Sequence, residues 1–343
     1  MATTAVQTQT GNASQAAKPK TLIEAITEAM YEEMEADERV FCIGEDIGFY
    51  GGVFKATKGL WEKFGADRVI DSPLSESMIV GAGVGAALVG MRPIPEIQFA
   101  DFITCGMDQI VEQASRIRYR TGGSWTCPVV IRCPYGGDVS GGLYHSQSVE
   151  AWFVHTPGIK VCVPAFPSDA KGMLKAAIRD PDPVLFFEHK KLYRSIKEII
   201  PDGDYTIELG PAKVRRAGRH VSAFSYGLML HRTLEAAEKL AAEGIEVEVV
   251  DLRCLQPLDR ETICESAKKT GRCVIVHEDQ KTLGMGAEIA ATITETVFEY
   301  LDAPVYRVAA PDVPAMPFAP TMEQEFLPQL DRIMNTLRQA AAY

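Results

Sequence analysis

Two stretches of this sequence carry side chains that could move a proton. The first is the polar turn 71–77 (DSPLSES), in which Glu76 stands at the entrance of a small, apolar segment reaching Gly90. A carboxylate at a helix N-terminus is favoured by the helix dipole alone. One pressed against apolar neighbours acquires a raised pKa and becomes a usable proton donor. Both readings of Glu76 are open at this point. The second stretch is 135–148 (YGGDVSGGLYHSQS), where four glycines precede His145 and its neighbouring hydroxyls. Long Gly-rich loops at the strand ends of parallel sheets are where ligands bind. An imidazole placed there can titrate near neutrality.

Other candidates fall away on spacing. Gly81, Gly83 and Gly85 imitate a dinucleotide loop, but Ala86 stands where the last glycine belongs. Close helix packing through small residues accounts for them better. His155, His189, His220, His231 and His277 have no comparable setting and read as structural. No His/Cys/carboxylate group has zinc spacing, and no G-x-S-x-G elbow occurs. The eight cysteines are scattered, mostly in apolar runs, with no C-x-x-C pair. They read as reduced, buried thiols of a cytoplasmic protein.

The elements that must hold Glu76 and His145 show as alternating strands and helices. Thr21 and Glu24 make a capping-box pattern ahead of a helix over 22–34. Strands are predicted at 40–44, 128–133, 159–163 and 184–188, and helices at 77–90, 103–117 and 168–179, the last with Ser168 as its cap. The stretch 195–211 gathers Pro, Gly and Asp and reads as a linker. Alternation then resumes, with strands at 221–226, 247–251, 273–277 and 305–308. Helices are predicted at 228–243, 259–269, 285–300 and 322–338. The fold class is α/β: two domains, each with a mostly parallel sheet covered on both faces.

Composition agrees with that class. The 343 residues are 46% hydrophobic and 24% charged, as in globular proteins, and suffice for two cores. A formal net charge of −11 disfavours generic nucleic-acid binding. No run of about eighteen uncharged apolar residues predicts a membrane span. Residues 1–20 read as a disordered tail, without the arginines of a transit peptide or the apolar block of a signal peptide.

Across 21–338 the sequence resembles a known family: the beta subunits of the thiamine-diphosphate-dependent decarboxylating component of 2-oxo acid dehydrogenase complexes. The resemblance is carried by 44–48 (GEDIG), 59–61 (GLW) with Phe64 and Gly65, 71–76 (DSPLSE) and 96–102 (EIQFADF). It continues through 143–148 (LYHSQS), 157–160 (PGIK), 251–259 (DLRCLQPLD) and 278–286. It implies a pyrimidine-binding thiamine diphosphate domain over 21–194, the linker 195–211, and a transketolase C-terminal-like domain over 212–343.

By resemblance, Glu76 is the acid that hydrogen-bonds the cofactor's pyrimidine nitrogen and promotes its imino tautomer. Leu74 would contact the cofactor between its rings, Phe102 would pack on the aminopyrimidine and Gln98 would line the same pocket. His145 would assist acyl transfer to a lipoyl group. A potassium site, formed largely by backbone carbonyls, would fall on Val129, Ala177, Ile178, Asp180 and Asp182, the last where many relatives carry Asn. The family's magnesium motif G-D-G…N is not matched; the chain has Asp202-Gly203-Asp204 instead. The resemblance therefore implies an alpha subunit that holds Mg2+, an α2β2 heterotetramer, and docking to a lipoyl-bearing acyltransferase core. The segments 96–102 and 186–194 look more like the branched-chain type, acting on 2-oxoisovalerate, than the pyruvate dehydrogenase type. A self-sufficient transketolase-like enzyme and a non-catalytic α/β module are the rival classes. The first would need a diphosphate domain in the same chain; the second would not need Glu76 or the loop.

Overall fold

The computed structural model describes residues 18–343; residues 1–17 of the expected tail lie outside the described residues. Helix α1 (Leu22–Ala36) starts as its sequence directs. The Thr21 side chain accepts from the Glu24 amide while Glu24 reaches back to the Thr21 amide. The chain then builds β1 (Val40–Gly44), β2 (Val69–Asp71), α2 (Glu76–Leu88), β3 (Arg92–Pro95), β4 (Val130–Tyr135), β5 (Lys160–Cys162), α3 (Pro167–Arg179) and β6 (Val184–His189). Strands β2-β1-β3 pair in parallel, as do β5-β6-β4. One parallel bridge between Glu96 and Arg132 joins the two groups. Strands β1, β4 and β6 are buried along their whole length, which is why they read as continuous apolar runs.

The second unit runs β7 (Lys213–Arg216), β8 (Val221–Ser225), α4 (Gly227–Ala241), β9 (Val247–Asp251), β10 (Cys254–Gln256), α5 (Arg260–Thr270), β11 (Cys273–Gln280), α6 (Met285–Val297), β12 (Tyr306–Ala310), α7 (Pro320–Phe326) and α8 (Leu330–Ala341). Its sheet has the order β12-β11-β8-β9-β7, parallel except for β7. Strand β10 leaves this sheet and pairs antiparallel with β5 of the first, Cys254 opposite Cys162 with the sulfurs 3.4 Å apart. The two sheets are thus tied by backbone as well as by side chains.

Three expected elements differ. The single helix over 103–117 is instead 3-10 at Ala100–Gly106, π at Gln109–Gln113, 3-10 at Ala114–Arg116 and α only at Ile117–Arg120. This segment hugs α2 so closely that a Cβ at Gly106 would stand 3.0 Å from Val80 and 3.4 Å from the Glu76 carbonyl. Apolar spacing reports the buried face; it does not report how tightly the backbone is wound. The closing helix over 322–338 is broken into α7 and α8, with Pro328 at the break. Helix α3 opens at Pro167 in its first turn and has no side-chain cap; the Ser168 amide instead donates to the Glu198 carboxylate.

The stretch expected as a linker is largely exposed but is fastened at several points. Lys197–Glu198 forms a two-residue strand against Lys20–Thr21. The Tyr205 hydroxyl donates to the Ser168 carbonyl, and Asp204 pairs with Lys175 and Arg179. Among the described residues, no helix is long and apolar enough to cross a membrane.

Candidate active site

The parallel strands β1 and β2 lie side by side, Gly44 opposite Asp71, and both stop at polar turns. The turns are laced together: the Ser72 amide donates to the Gly44 carbonyl, and the Gly48 amide to Asp71 Oδ1 at 2.6 Å. From the second turn the chain enters α2, whose first residue is Glu76. Its residue-level exposure is 6%, although the glutamate sits at the very start of the helix. Small residues follow it along α2, with Gly81, Gly83 and Gly85 among them.

A second carboxylate, Glu45, stands at the end of β1. It is buried, and its Oε1 has no hydrogen-bond partner. Burial first, then the neighbouring Glu76, then Asp46, push the Glu45 carboxyl above the usual range. Sequence reasoning noted this residue only as part of a matching stretch. The signal was an acid directly at the carboxyl end of a buried strand, where parallel sheets place ligands.

Beyond β3, Gln98 is half-buried and Phe102 follows in the first 3-10 turn. Phe102 meets His145 edge-on, with ring centroids 5.5 Å apart, and Phe99 meets it at 4.5 Å. The loop is fastened here as well, because the Gln147 amide donates to Asp101 Oδ2 at 3.3 Å. Asp101 Oδ1, Ser146 Oγ, Ser148 Oγ and Lys190 Nζ are buried without partners. Burial raises the Asp101 carboxyl, with Lys190 opposing. Burial pulls the Lys190 ammonium down to about 8, with Asp101 opposing. Neither residue stood out in the sequence as a site residue.

The structure therefore draws Phe102 and His145 together around Phe99, which Gln98 directly precedes in the chain, and sets Glu76 with Glu45 at the start of α2. The 3-10 segment that carries Phe102 packs on α2 and joins the two groups. Leu74, on the turn ahead of Glu76, is 80% exposed. These observations fit a pyrimidine-type ligand: a buried acid, orphaned polar atoms beside it, aromatic rings, and a free apolar side chain at the entrance.

The five residues expected around potassium come together at a different turn, between α3 and β6. The Val129 carbonyl accepts from the Val184 amide and the Ala177 carbonyl from the Asp180 amide. The Ile178 carbonyl accepts from Arg92 at 2.7 Å, and Arg92 also reaches the Asp180 carbonyl at 3.4 Å. Lys160 pairs with Asp180 and Asp182, and Arg118 with Asp182. Carbonyl oxygens suit a hard monovalent ion, each with a second lone pair. Three cationic side chains already supply positive charge to this turn. Among the described residues no group of three or more His, Cys, Asp or Glu side chains could hold a metal ion.

The family described as transketolase, pyrimidine binding domain, matches residues 18–196, and that described as transketolase, C-terminal domain, matches 210–333. The chain is 54% identical over 321 residues to the 2-oxoisovalerate dehydrogenase subunit beta of Bacillus subtilis, covering 94% of this chain and 98% of that protein. It is 48% identical to the pyruvate dehydrogenase E1 component subunit beta of the same organism, covering 94% and 99%. The mitochondrial 2-oxoisovalerate dehydrogenase subunit beta 2 of Arabidopsis thaliana is 46% identical, with 97% and 92% covered. Among solved structures, a split gene transketolase described as an inactive beta4 tetramer superposes with a TM-score of 0.77 at 24% identity, covering 94% of this chain and 98% of that one, and shows the shared fold. With its buried acid at the carboxyl ends of a parallel sheet, its second α/β unit and these relatives along nearly its whole length, the chain belongs to the family of 2-oxo acid dehydrogenase beta subunits, built from the transketolase pyrimidine-binding and C-terminal domains.

Proposed function

We propose that this chain is the beta subunit of a thiamine-diphosphate-dependent dehydrogenase that decarboxylates branched-chain 2-oxo acids such as 2-oxoisovalerate and passes the acyl group to a lipoyl group. The observation that carries this reading is the Glu76 carboxylate, buried at the start of α2 beside Glu45, whose Oε1 has no partner, with Leu74 exposed on the turn ahead of it. When bound, thiamine diphosphate supplies the nucleophile and electron sink that decarboxylation needs. Glu76 shares its proton with the pyrimidine ring nitrogen, and the apolar flank of α2 keeps water from competing for that proton. Leu74 would contact the cofactor between its rings, Phe102 would pack on the pyrimidine, and Gln98 would line the pocket. His145 faces the substrate side and delivers the proton that a departing lipoyl sulfur requires.

The diphosphate and Mg2+ are assigned to an alpha subunit in an α2β2 heterotetramer. Exposed apolar residues near the turns support a partner there: Phe49 at 78%, Leu74 at 80% and Tyr144 at 67% exposure. The oxygens of Val129, Ala177, Ile178, Asp180 and Asp182 are assigned to a structural potassium ion, which would share this turn with Arg92, Arg118 and Lys160. A cytoplasmic setting suits eight cysteines, all free and seven of them buried.

A pyruvate-specific subunit is the second reading, favoured by the 48% identity to a pyruvate dehydrogenase beta subunit. One experiment tests both. The purified chain is assayed with thiamine diphosphate, Mg2+ and a dye acceptor, alone and with a candidate alpha chain, on 2-oxoisovalerate and on pyruvate. Turnover is expected only with the alpha chain, with the higher kcat/KM on the branched substrate. Robust turnover by the chain alone would sink the shared site, and a strong pyruvate preference would transfer the chain to the second reading.

A further inference from the structure

The loop that leads to His145 has an unusual backbone. Gly136, Asp138, Ser140 and Gly142 all have left-handed φ, at +84°, +61°, +53° and +71°. Glycine adopts such values freely, whereas aspartate and serine do so only when something holds them. The residues between are not left-handed, so the hand of the backbone alternates along the loop. Alternation of this kind turns successive amides to one side and makes a concave cradle for an anion.

The anion in this cradle is a side chain of the same protein. Glu323, 2% exposed in α7 of the second unit, accepts from the Val139 amide at 3.2 Å and the Ser140 amide at 3.1 Å. Its other oxygen accepts from the Ser140 amide at 3.2 Å and the Ser140 hydroxyl at 3.3 Å. The residues on either side are held from the same direction. The Gly137 amide donates to the buried Glu278 of β11, which also meets His189 at 2.8 Å. Asp138 accepts from Gln324 at 3.0 Å and from Arg232 at 3.3 Å. A side chain at Gly137 would collide with Met316. Every residue from 137 to 140 is therefore gripped by the second unit, between five and eight residues ahead of the imidazole that stands against Phe99 and Phe102.

We propose that Glu323 is a positioning residue of the active site. Its carboxylate fills the amide cradle at Val139 and Ser140, holds Ser140 in its left-handed conformation, and so, together with Glu278 on Gly137 and Arg232 and Gln324 on Asp138, fixes His145 against Phe99 and Phe102. The second unit then has a task at the reaction centre in addition to any part in assembly. The role in turnover rests on the reading of His145 as the group that serves acyl transfer; the grip on the loop does not.

The test uses the assembled tetramer with Glu323→Gln, which keeps the side chain's size but replaces one accepting oxygen with an amide donor. Ser140→Ala is the second variant; it removes only the hydroxyl contact and carries the test if Glu323→Gln does not assemble. Amide hydrogen exchange is read without cofactor. Exchange over 137–148 is expected to quicken by about tenfold in Glu323→Gln, and less in Ser140→Ala, with the sheets of both units unchanged. With cofactor, kcat/KM for lipoyl acylation is expected to fall about tenfold while KM for the 2-oxo acid stays within about twofold. In a His145→Ala background, Glu323→Gln should add nothing further to the acylation loss. Unchanged loop exchange, exchange quickened throughout the second unit, or additive losses in the double variant would overturn the proposal. Loop-confined exchange combined with a silent His145→Ala would leave the grip standing and remove the acyl-transfer reading instead.

Discussion

Tyr226 donates its hydroxyl to Glu150 Oε1 at 2.7 Å, joining the second unit to the short helix that follows the His145 loop. The other Glu150 oxygen has no partner. Burial raises the Glu150 carboxyl well above the usual range, Asp279 raises it further, and the Tyr226 hydroxyl opposes. Asp279 is itself raised, by burial first and by Glu278 as well, with the Gln280 amide opposing. Glu150 and Asp279 therefore form an acidic cluster that prefers to hold protons.

This cluster gives stability a pH dependence of definite sign. A carboxyl whose folded pKa is raised binds more protons folded than unfolded, so its contribution is full at acid pH and is lost as pH climbs through the folded value. Thermal unfolding of the wild type should move to lower temperature between about pH 5.5 and about pH 8. Glu150→Gln keeps the oxygen that Tyr226 needs and cannot ionise. Its midpoint should fall less over the same range, and a parallel fall in both proteins would exclude Glu150 as the cause.

Glu76→Gln should abolish cofactor activation while leaving the tetramer assembled. An amide fills the same space at the start of α2 but cannot share an acidic proton. The expected loss in kcat is about a hundredfold or more. Gel filtration and cofactor binding by the variant separate lost chemistry from lost assembly. Near-normal turnover would reduce Glu76 to a helix-terminal acid.

His145→Ala should divide the two half-reactions. Decarboxylation read with a dye draws on Glu76 and the alpha chain, so it should retain the larger share of its rate. Acylation of a lipoyl group needs a proton at the leaving sulfur and should lose far more. Both rates are measured on one preparation with saturating cofactor. Equal losses would make His145 a residue that only positions substrate or loop.

Arg132→Met should cost stability without touching the chemistry directly. Arg132 is 1% exposed and is held between Glu96 and Glu188, the latter also taking the Tyr193 hydroxyl at 2.6 Å. Removing the cation leaves two carboxylates buried without their partner, at an expected cost of about 3–5 kcal/mol. Denaturant unfolding of the variant reads this directly. The double change Glu188→Gln with Arg132→Met should recover part of the loss, since one stranded charge then disappears.

Local chemistry made much of this protein legible. The Thr21–Glu24 cap, the buried runs of β1, β4 and β6, and the alternation that dictates α/β layers depend on neighbours in sequence, and they stand where periodicity put them. Glu76 and His145 stood out because an acid before an apolar helix, and an imidazole after four glycines, are anomalies within a few residues of chain. What sequence could not decide depends on contacts between distant residues. The 100–120 segment abandons regular helix where α2 lies against Gly106, and β10 crosses into the first sheet, where Cys254 comes opposite Cys162. Glu45 acquires its raised pKa only where folding buries it beside Glu76, and Lys190 is lowered only where folding strips it of solvent. The hold on the His145 loop comes from Glu278 and Glu323, well over a hundred residues further along the chain. Periodicity reports which face is buried; only the assembled tertiary structure decides which charges are buried together, and desolvation at short range sets their chemistry.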